Sequence, residues 1–575
     1  MRRTFRFRLR LVSLGLLSFA LLLIVRLYFV QIVHGEEYAL RAEHQYVNAS
    51  QQLYDRGAIY FTRKDGTLIS AATLATGFIV AIDPGKIKDP EKTFAALSAH
   101  LTLSREEFMA RAAKIDDPYE EVADHVAEEA GTAIDAEDLP GVMVIRERWR
   151  FYPAKEKAAQ SIGLIGYDDK NTIAGRYGLE RYYDYALVRD GEGVFGNFFA
   201  ELFANIGSVV VDAREARRGD VVTSIEPIVQ QKLDEVLRDV QRTYYSQETG
   251  GIIMDPKTGA IIALDTIPSF DPNTYTSADP ALFNNHIVER RYEFGSIMKA
   301  LTMASGIDAG VITPETTYND TGCITLNTKR ICNYDLKARG VVPMQEVLSQ
   351  SLNLGVSWIA GKLGHDRLRT YFTNLGMDTE TGVDLPSEIR GTLANLTDRD
   401  VNYATASFGQ GIAQTPIEMI RALGALANHG SIVTPHLGTA IHLQSGIDRP
   451  LSWGPSQKVF SPESTAAVTD MLVTVVDTAL AKGKMKIPEM SVAAKTGTAQ
   501  MASPLGGYYA DRYFHSFFGY FPASNPRFII LLYTREPQGV QYASETLTDT
   551  FMDLVHFLTN YYDVPPDRAT YEKTS

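Results

Sequence analysis

The apolar positions of this chain fall into three regimes. From Leu11 to Val33 they are almost continuous, with Arg26 the single charge among them. From Gly35 to about Gly250, short β-rich pieces alternate with polar helical ones. Arg56-Gly57-Ala58-Ile59-Tyr60 and Asp65-Gly66-Thr67-Leu68 predict strand–turn–strand, the Asp-Gly pair being a strong hairpin signal. Residues 94–136 read as helix-rich and acidic, a solvated face. Residues 228–244 place Val229, Leu233, Val236, Leu237 and Val240 on one helical stripe. Beyond Gly250 two apolar strands flank Pro256-Lys257-Thr258-Gly259, a hairpin turn. Helices follow; the clearest start is Thr415-Pro416-Ile417-Glu418, which has an N-cap, a proline at the first helical position and a glutamate that closes a capping box. That helix turns Ile417, Ile420, Leu423 and Leu426 inward and stops at Gly430. Residues 491–500, 514–521 and 528–534 read as strands and 547–562 as a final helix. Two strands, many helices and three strands predict an α/β protein of the α+β type, built on a largely antiparallel sheet flanked by helices.

Length and charge sharpen this outline. At 575 residues the chain exceeds what one core organises. Hydrophobic residues at 45% and charged residues at 22% exclude bulk disorder. A mean hydropathy of −0.11 excludes a polytopic membrane protein while leaving room for one spanning helix. Arg2, Arg3, Arg6, Arg8 and Arg10 crowd the first ten residues, so the rest of the chain is more acidic than the total of −13. An acidic body argues against nucleic acid as a partner. The 11–33 segment, at about 1.5 Å per residue, spans roughly 34 Å, enough for a bilayer and longer than a signal-peptide core. With no A-x-A cleavage site in sight, it predicts a retained single-pass anchor, the basic tail 1–10 in the cytoplasm and everything after residue 34 outside.

Cys323 and Cys332 are the only cysteines, too few for structural zinc and not arranged for redox chemistry. Residues 324–331 read as a small hairpin with Asn327-Thr328-Lys329 at its tip. A disulfide across it and two free thiols both remain open.

Three short motifs carry chemistry. In Ser296-Ile297-Met298-Lys299 the hydroxyl and amine share a helical face, so Lys299 Nζ can reach Ser296 Oγ. A serine is a weak nucleophile without an adjacent base, and a lysine serves only when deprotonated, which requires burial or a neighbouring cation. Ser351-Leu352-Asn353 supplies a second hydroxyl and an amide. Lys495-Thr496-Gly497-Thr498 begins inside a strand and can hold a carboxylate against close backbone. A second Lys-Thr-Gly, Lys257-Thr258-Gly259, lies in the hairpin turn and precedes the serine, so it reads as turn chemistry.

Ser-x-x-Lys, Ser-x-Asn and Lys-Thr-Gly in this order resemble the signature of penicillin-binding proteins and serine β-lactamases. Ser407-Phe408-Gly409-Gln410-Gly411 with Thr415-Pro416, Arg56-Gly57-Ala58-Ile59, Gly178-Leu179-Glu180, Pro268 to Asn273 and Phe518 to Ala523 resemble class B penicillin-binding proteins in particular. Phe294 stands where the family usually has proline, and Ile297-Met298 replaces Thr-Phe. No glycosyltransferase motif of the bifunctional class and no deacylating glutamate motif is evident. The resemblance implies a basic tail (1–10), an anchor (11–33), a pedestal or dimerisation domain (34–249), a transpeptidase domain (250–565) and a polar tail (566–575). It further implies a peptidoglycan D,D-transpeptidase in which Ser296 attacks, Lys299 takes the proton, Ser351 passes a proton to the leaving amine, and Asn353 orders the network. Lys495, Thr496, Gly497 and Thr498 bind the substrate, and no metal or cofactor takes part. Implied partners are stem peptides, β-lactams, the cell membrane, a polytopic SEDS-type glycosyltransferase and other wall-synthesis proteins. The resemblance leans to the division branch over the elongation branch. A D,D-carboxypeptidase and a catalytically silent wall-synthesis scaffold are the alternatives.

Overall fold

The computed structural model describes residues 55–168, 172–189, 218–504 and 506–568. The basic tail, the expected anchor and the last residues of the C-terminal tail lie outside them. The chain forms two compact units: residues 75–149 belong to the smaller, and 56–74, 150–189 and everything described from 218 onward to the larger.

The larger unit is organised by five strands, β1 (Glu248–Met254), β2 (Ile261–Ile267), β3 (Ala493–Ala502), β4 (Tyr508–Phe521) and β5 (Phe528–Arg535). Their spatial order is β3-β4-β5-β1-β2, every neighbouring pair antiparallel. Alternate residues of a strand face opposite sides, and the apolar runs here serve both. Ile253, Ala263, Phe517, Ile530 and Leu532 pack with Val229, Leu233 and Leu237 of α1 (Pro227–Tyr244). Phe551, Leu554 and Leu558, from the C-terminal helix Thr548–Tyr561, join that layer. Ile252, Met254, Leu264, Phe518, Ile529 and Leu531 face the other side, toward α2 (Met298–Asp308), α3 (Asn353–Leu363), α4 (Pro416–Ala427) and α5 (Pro462–Thr474). A helix with apolar or small residues all round belongs inside; Met298 through Gly306 of α2 and all of α4 are buried accordingly.

The expected capping box forms. Glu418 N donates to Thr415 Oγ1 and Thr415 N to Glu418 Oε2, at 3.3 and 2.8 Å. Farther upstream, Ile59–Thr62 pairs with Leu68–Ala72 around a turn where Gly66 takes φ +84°. The same short strand runs parallel to Gly219–Thr223, which pairs with Gly438–Leu443.

α5 continues through a π turn, so that Pro462–Gly483 is long and apolar enough to cross a membrane, with mean hydropathy 1.3. Val468, Met471 and Leu472 are instead buried in the core of the larger unit.

In the smaller unit, residues 78–82 pair antiparallel with Glu120–Val126. Val80, Ile82, Leu97, Phe108, Val122, Val126 and Ile134 form its core. Residues 94–136 are therefore not simply helical, because a strand separates the helices Arg105–Ala112 and Glu128–Ala136. Only pairing with a distant strand selects that conformation for Glu-Glu-Val-Ala-Asp-His-Val.

Candidate active site

All three motifs border one cleft of about 1010 Å³ in the larger unit, lined among others by Ser296, Ser351, Asn353, Lys495, Thr496 and Thr498. Ser296 occupies a single 3-10 turn, Gly295–Ile297, that leads into α2. The turn is wedged against β3. Gly295 has φ +61°, and a Cβ there would come within 2.7 Å of Thr498 O. At Gly497 a Cβ would meet Ser516 Oγ at 2.3 Å and Phe294 O at 2.5 Å. Ser516 Oγ, on β4, donates to Phe294 O at 2.7 Å and fixes the approach. From the other side, Gly295 N donates to Gly409 O (3.3 Å) and Thr302 Oγ1 to Ser407 O (2.8 Å). The Ser407–Gly411 segment thus underlies the nucleophile turn.

Lys299 is fully buried and Lys495 is 3% exposed. Lys299 Nζ donates to Ser351 O (2.6 Å) and Ser351 Oγ (3.0 Å), and Lys495 Nζ donates to the same Oγ (3.1 Å) and to Thr496 O (3.0 Å). One hydroxyl therefore joins two amines. Burial and the charge of Lys495 push the Lys299 ammonium well below its ordinary pKa. Burial alone pushes Lys495 down to about 7. Activation of Ser296 needs a deprotonated lysine, and this environment favours that form of Lys299. Among the described residues Lys299 bonds to Ser351 rather than to Ser296 as the helical spacing suggested. Such contacts tighten when substrate arrives.

Ser351 sits at φ +53°, an uncommon conformation for a residue with a side chain and one that clusters at functional sites. It precedes α3, whose first residue, Asn353, donates from Nδ2 to Cys332 O at 2.9 Å. Cys332 is disulfide-bonded to Cys323, so the open question about the two thiols is answered: they face each other across Cys323–Leu326 and Lys329–Cys332. Asn327 and Thr328 form the two-residue turn, while Lys329, expected at the tip, is already in the second strand.

Asn333 and Ser516 were missed in the sequence, and Cys332 was read there only for its thiol. Asn333 Oδ1 accepts from Leu354 N (3.2 Å) while its amide bonds the Asp320 carboxylate (2.9 Å). Ser516 and Cys332 complete the set. All act across long sequence separations, and no local spacing announces them. The second Lys-Thr-Gly is where the sequence placed it, in the turn between β1 and β2, with Lys257 Nζ on Asn525 Oδ1 at 2.6 Å.

Comparison with known proteins agrees with this geometry. Residues 249–555 match the penicillin binding protein transpeptidase domain, and residues 54–192 the penicillin-binding protein dimerisation domain. Stage V sporulation protein D of Bacillus subtilis is 28% identical over 554 residues, covering 93% of this chain and 82% of that protein. The peptidoglycan D,D-transpeptidase FtsI of Escherichia coli K12 is 25% identical over 436 residues, covering 75% and 70%. The structure of penicillin binding protein 3 from Mycobacterium tuberculosis, complexed with aztreonam, superposes with a TM-score of 0.66 at 21% identity, covering 90% of this chain and 98% of that one. Its apo form superposes with a TM-score of 0.63, covering 73% and 92%. With the transpeptidase domain matched over more than half its length and the three motifs gathered in one cleft, the chain belongs to the class B penicillin-binding proteins.

Proposed function

We propose that this protein is a serine-type peptidoglycan D,D-transpeptidase of the division type, and that its cleft is the site of acylation by stem peptides and by β-lactams. The observation that carries this is the Ser351 hydroxyl held between the amines of two buried lysines, in the cleft that Ser296 also lines. Ser296 Oγ attacks the carbonyl carbon of the penultimate D-alanine as neutral Lys299 takes its proton. The oxyanion is held by the backbone N–H groups of Ser296 and Thr498, each such donor worth about 3–4 kcal/mol. The intermediate collapses, the C–N bond breaks, and the terminal D-alanine leaves as an amine after receiving a proton through Ser351. Asn353 keeps that relay in register, while Lys495 and Thr496 hold the terminal carboxylate and Gly497 lets the strand lie close. The amine of a second stem peptide then attacks the ester, forms the crosslink and restores Ser296.

A β-lactam mimics the D-alanyl-D-alanine end, so the expected product is a stable adduct with fluorescent penicillin, one per chain, mapped by mass spectrometry to the peptide containing Ser296. Ser296→Ala should abolish it. Folded wild-type protein that forms no adduct with several β-lactam classes would remove the assignment. Under the same proposal, the 34–249 and 250–565 boundaries separate pedestal from catalytic domain, residues 11–33 anchor the chain, and a SEDS-type glycosyltransferase accompanies it. Protease added to spheroplasts should then degrade everything beyond about residue 40, and protection of the body would refute that topology.

A further inference from the structure

The chain carries a net charge of −13, yet among the described residues lining the cleft there is no aspartate or glutamate. Its cationic lining residues are Lys495, Lys329 and Arg330. Lys495 is engaged with Ser351 and Thr496. The other two are adjacent on the disulfide hairpin, exposed, and without an ion pair among the described residues; the one polar contact either side chain makes is Arg330 Nη2 to Cys323 Sγ at 3.3 Å. The hairpin that carries them is held at three points. The Cys323–Cys332 bridge closes its base, and Asn353 Nδ2 on Cys332 O ties the base to the catalytic motif. Asn327 Oδ1, accepting from Val401 N at 3.0 Å, ties its tip to the helix Asp400–Ala406. Two unpaired cations on a pinned element, in an otherwise acid-free cleft of an acidic protein, are arranged for an anion.

Resting on the transpeptidase reading above, we propose that Lys329 and Arg330 form a second anion subsite, which selects donor stem peptides carrying a free carboxylate upstream of the terminal D-alanyl pair. The terminal carboxylate belongs to Lys495 and Thr496. At about 3.4 Å per extended residue, Arg330 lies roughly 7 Å along its strand from Cys332, whose carbonyl holds Asn353. Long side chains there can meet a carboxylate one or two residues before the D-alanyl pair.

The test compares acylation rates of the full chain with two matched sets. One is a pair of penicillins that differ only in a side-chain carboxylate. The other is a series of peptides ending in D-alanyl-D-alanine, with a carboxylate free or amidated at the first or second residue before the pair, competed against fluorescent penicillin. Wild type should favour the free carboxylate by about fivefold, the scale of an exposed ion pair. Lys329→Ala/Arg330→Ala should bring that ratio close to unity, and the peptide position that shows the preference identifies which donor carboxylate is read. The wild-type ratio should also shrink from low to high salt, a check that needs no variant. Adducts forming at Ser296 at equal rates with free and amidated partners would overturn the subsite and leave the transpeptidase standing. So would a preference that ignores salt or survives the double substitution, or one confined to penicillins. Absence of any Ser296 adduct would overturn the transpeptidase reading itself.

Discussion

At the scale of single residues, the chemistry depends on keeping an amine neutral in a folded protein. Lys299 has lost its water, and Lys495, the next cation, sits across one hydroxyl from it. Acylation should rise with pH as Lys299 gives up its proton. Lys495→Ala removes the neighbouring charge, so the Lys299 pKa should climb and the rising limb of the acylation–pH profile should move to higher pH, besides the loss of carboxylate binding. Measuring acylation rates across pH decides this: weaker binding with an unmoved limb would leave Lys495 a binding role alone. Stability moves in the same direction. The folded-state pKa of Lys299 lies below its unfolded value, so between the two the unfolded chain binds one proton more and stability rises with pH. Near neutral pH the buried lysine therefore opposes folding. Lys299→Met should raise the melting temperature at pH 7 while abolishing penicillin labelling, the trade expected where a site is held for function. A lower melting temperature would mean that the two hydrogen bonds to Ser351 outweigh desolvation.

At the scale of elements, the nucleophile turn and β3 approach until only glycine fits between them. Gly497→Ala would place a methyl against Ser516 Oγ and the Phe294 carbonyl, and the backbone carbonyl cannot swing aside as a side chain does. We expect a stability loss of about 1–3 kcal/mol by urea unfolding, together with slowed acylation. Unchanged labelling would show that the turn tolerates a displaced strand. The hairpin bears on the site through Asn353. Cys323→Ala/Cys332→Ala removes a short-loop disulfide worth less than about 3 kcal/mol and frees the carbonyl that positions the amide. Labelling should slow severalfold, as it should on reduction of the wild type; a rate indifferent to both would mean that Asn327 and Asn333 suffice to hold the hairpin. These contacts also mark what the sequence could and could not disclose. Thr415 with Glu418, the Asp65-Gly66 turn and the stripe from Val229 to Val240 are local signals, and each forms as its spacing predicts. The three motifs were legible as types and order. Their geometry was not, because Lys299, Ser351 and Lys495 meet only once the fold brings a helix, a loop and a strand together, and the strand Glu120–Val126 exists only through its distant partner.

At the scale of the whole molecule, distant parts of the larger unit are joined by a buried charge cluster. Glu180 is fully buried and accepts from Arg56 Nε (2.7 Å) and Arg150 Nε (2.6 Å), while Arg150 Nη1 reaches Gly57 O (2.8 Å). The Arg-Gly-Ala-Ile and Gly-Leu-Glu segments that resembled the family in sequence thus meet here. Burial alone would raise the Glu180 pKa; the two guanidinium groups overcome it and hold the carboxyl below its ordinary value. Removing one partner from a buried pair leaves an uncompensated charge and typically costs about 3–5 kcal/mol. Glu180→Gln should therefore lower the urea-unfolding free energy by about that amount at pH 7, without shifting the pH profile of acylation, because the cluster touches no active-site group. A carboxyl with a depressed folded pKa contributes stability that is complete above its unfolded pKa, near 4.5, and is lost as pH falls through the folded value. Wild type loses this contribution on acidification and the glutamine variant has none to lose, so the gap between them should narrow below about pH 4.5. A gap of equal size at pH 7 and in acid would mean that the cluster acts through packing and hydrogen-bond geometry, with no net contribution from its charge.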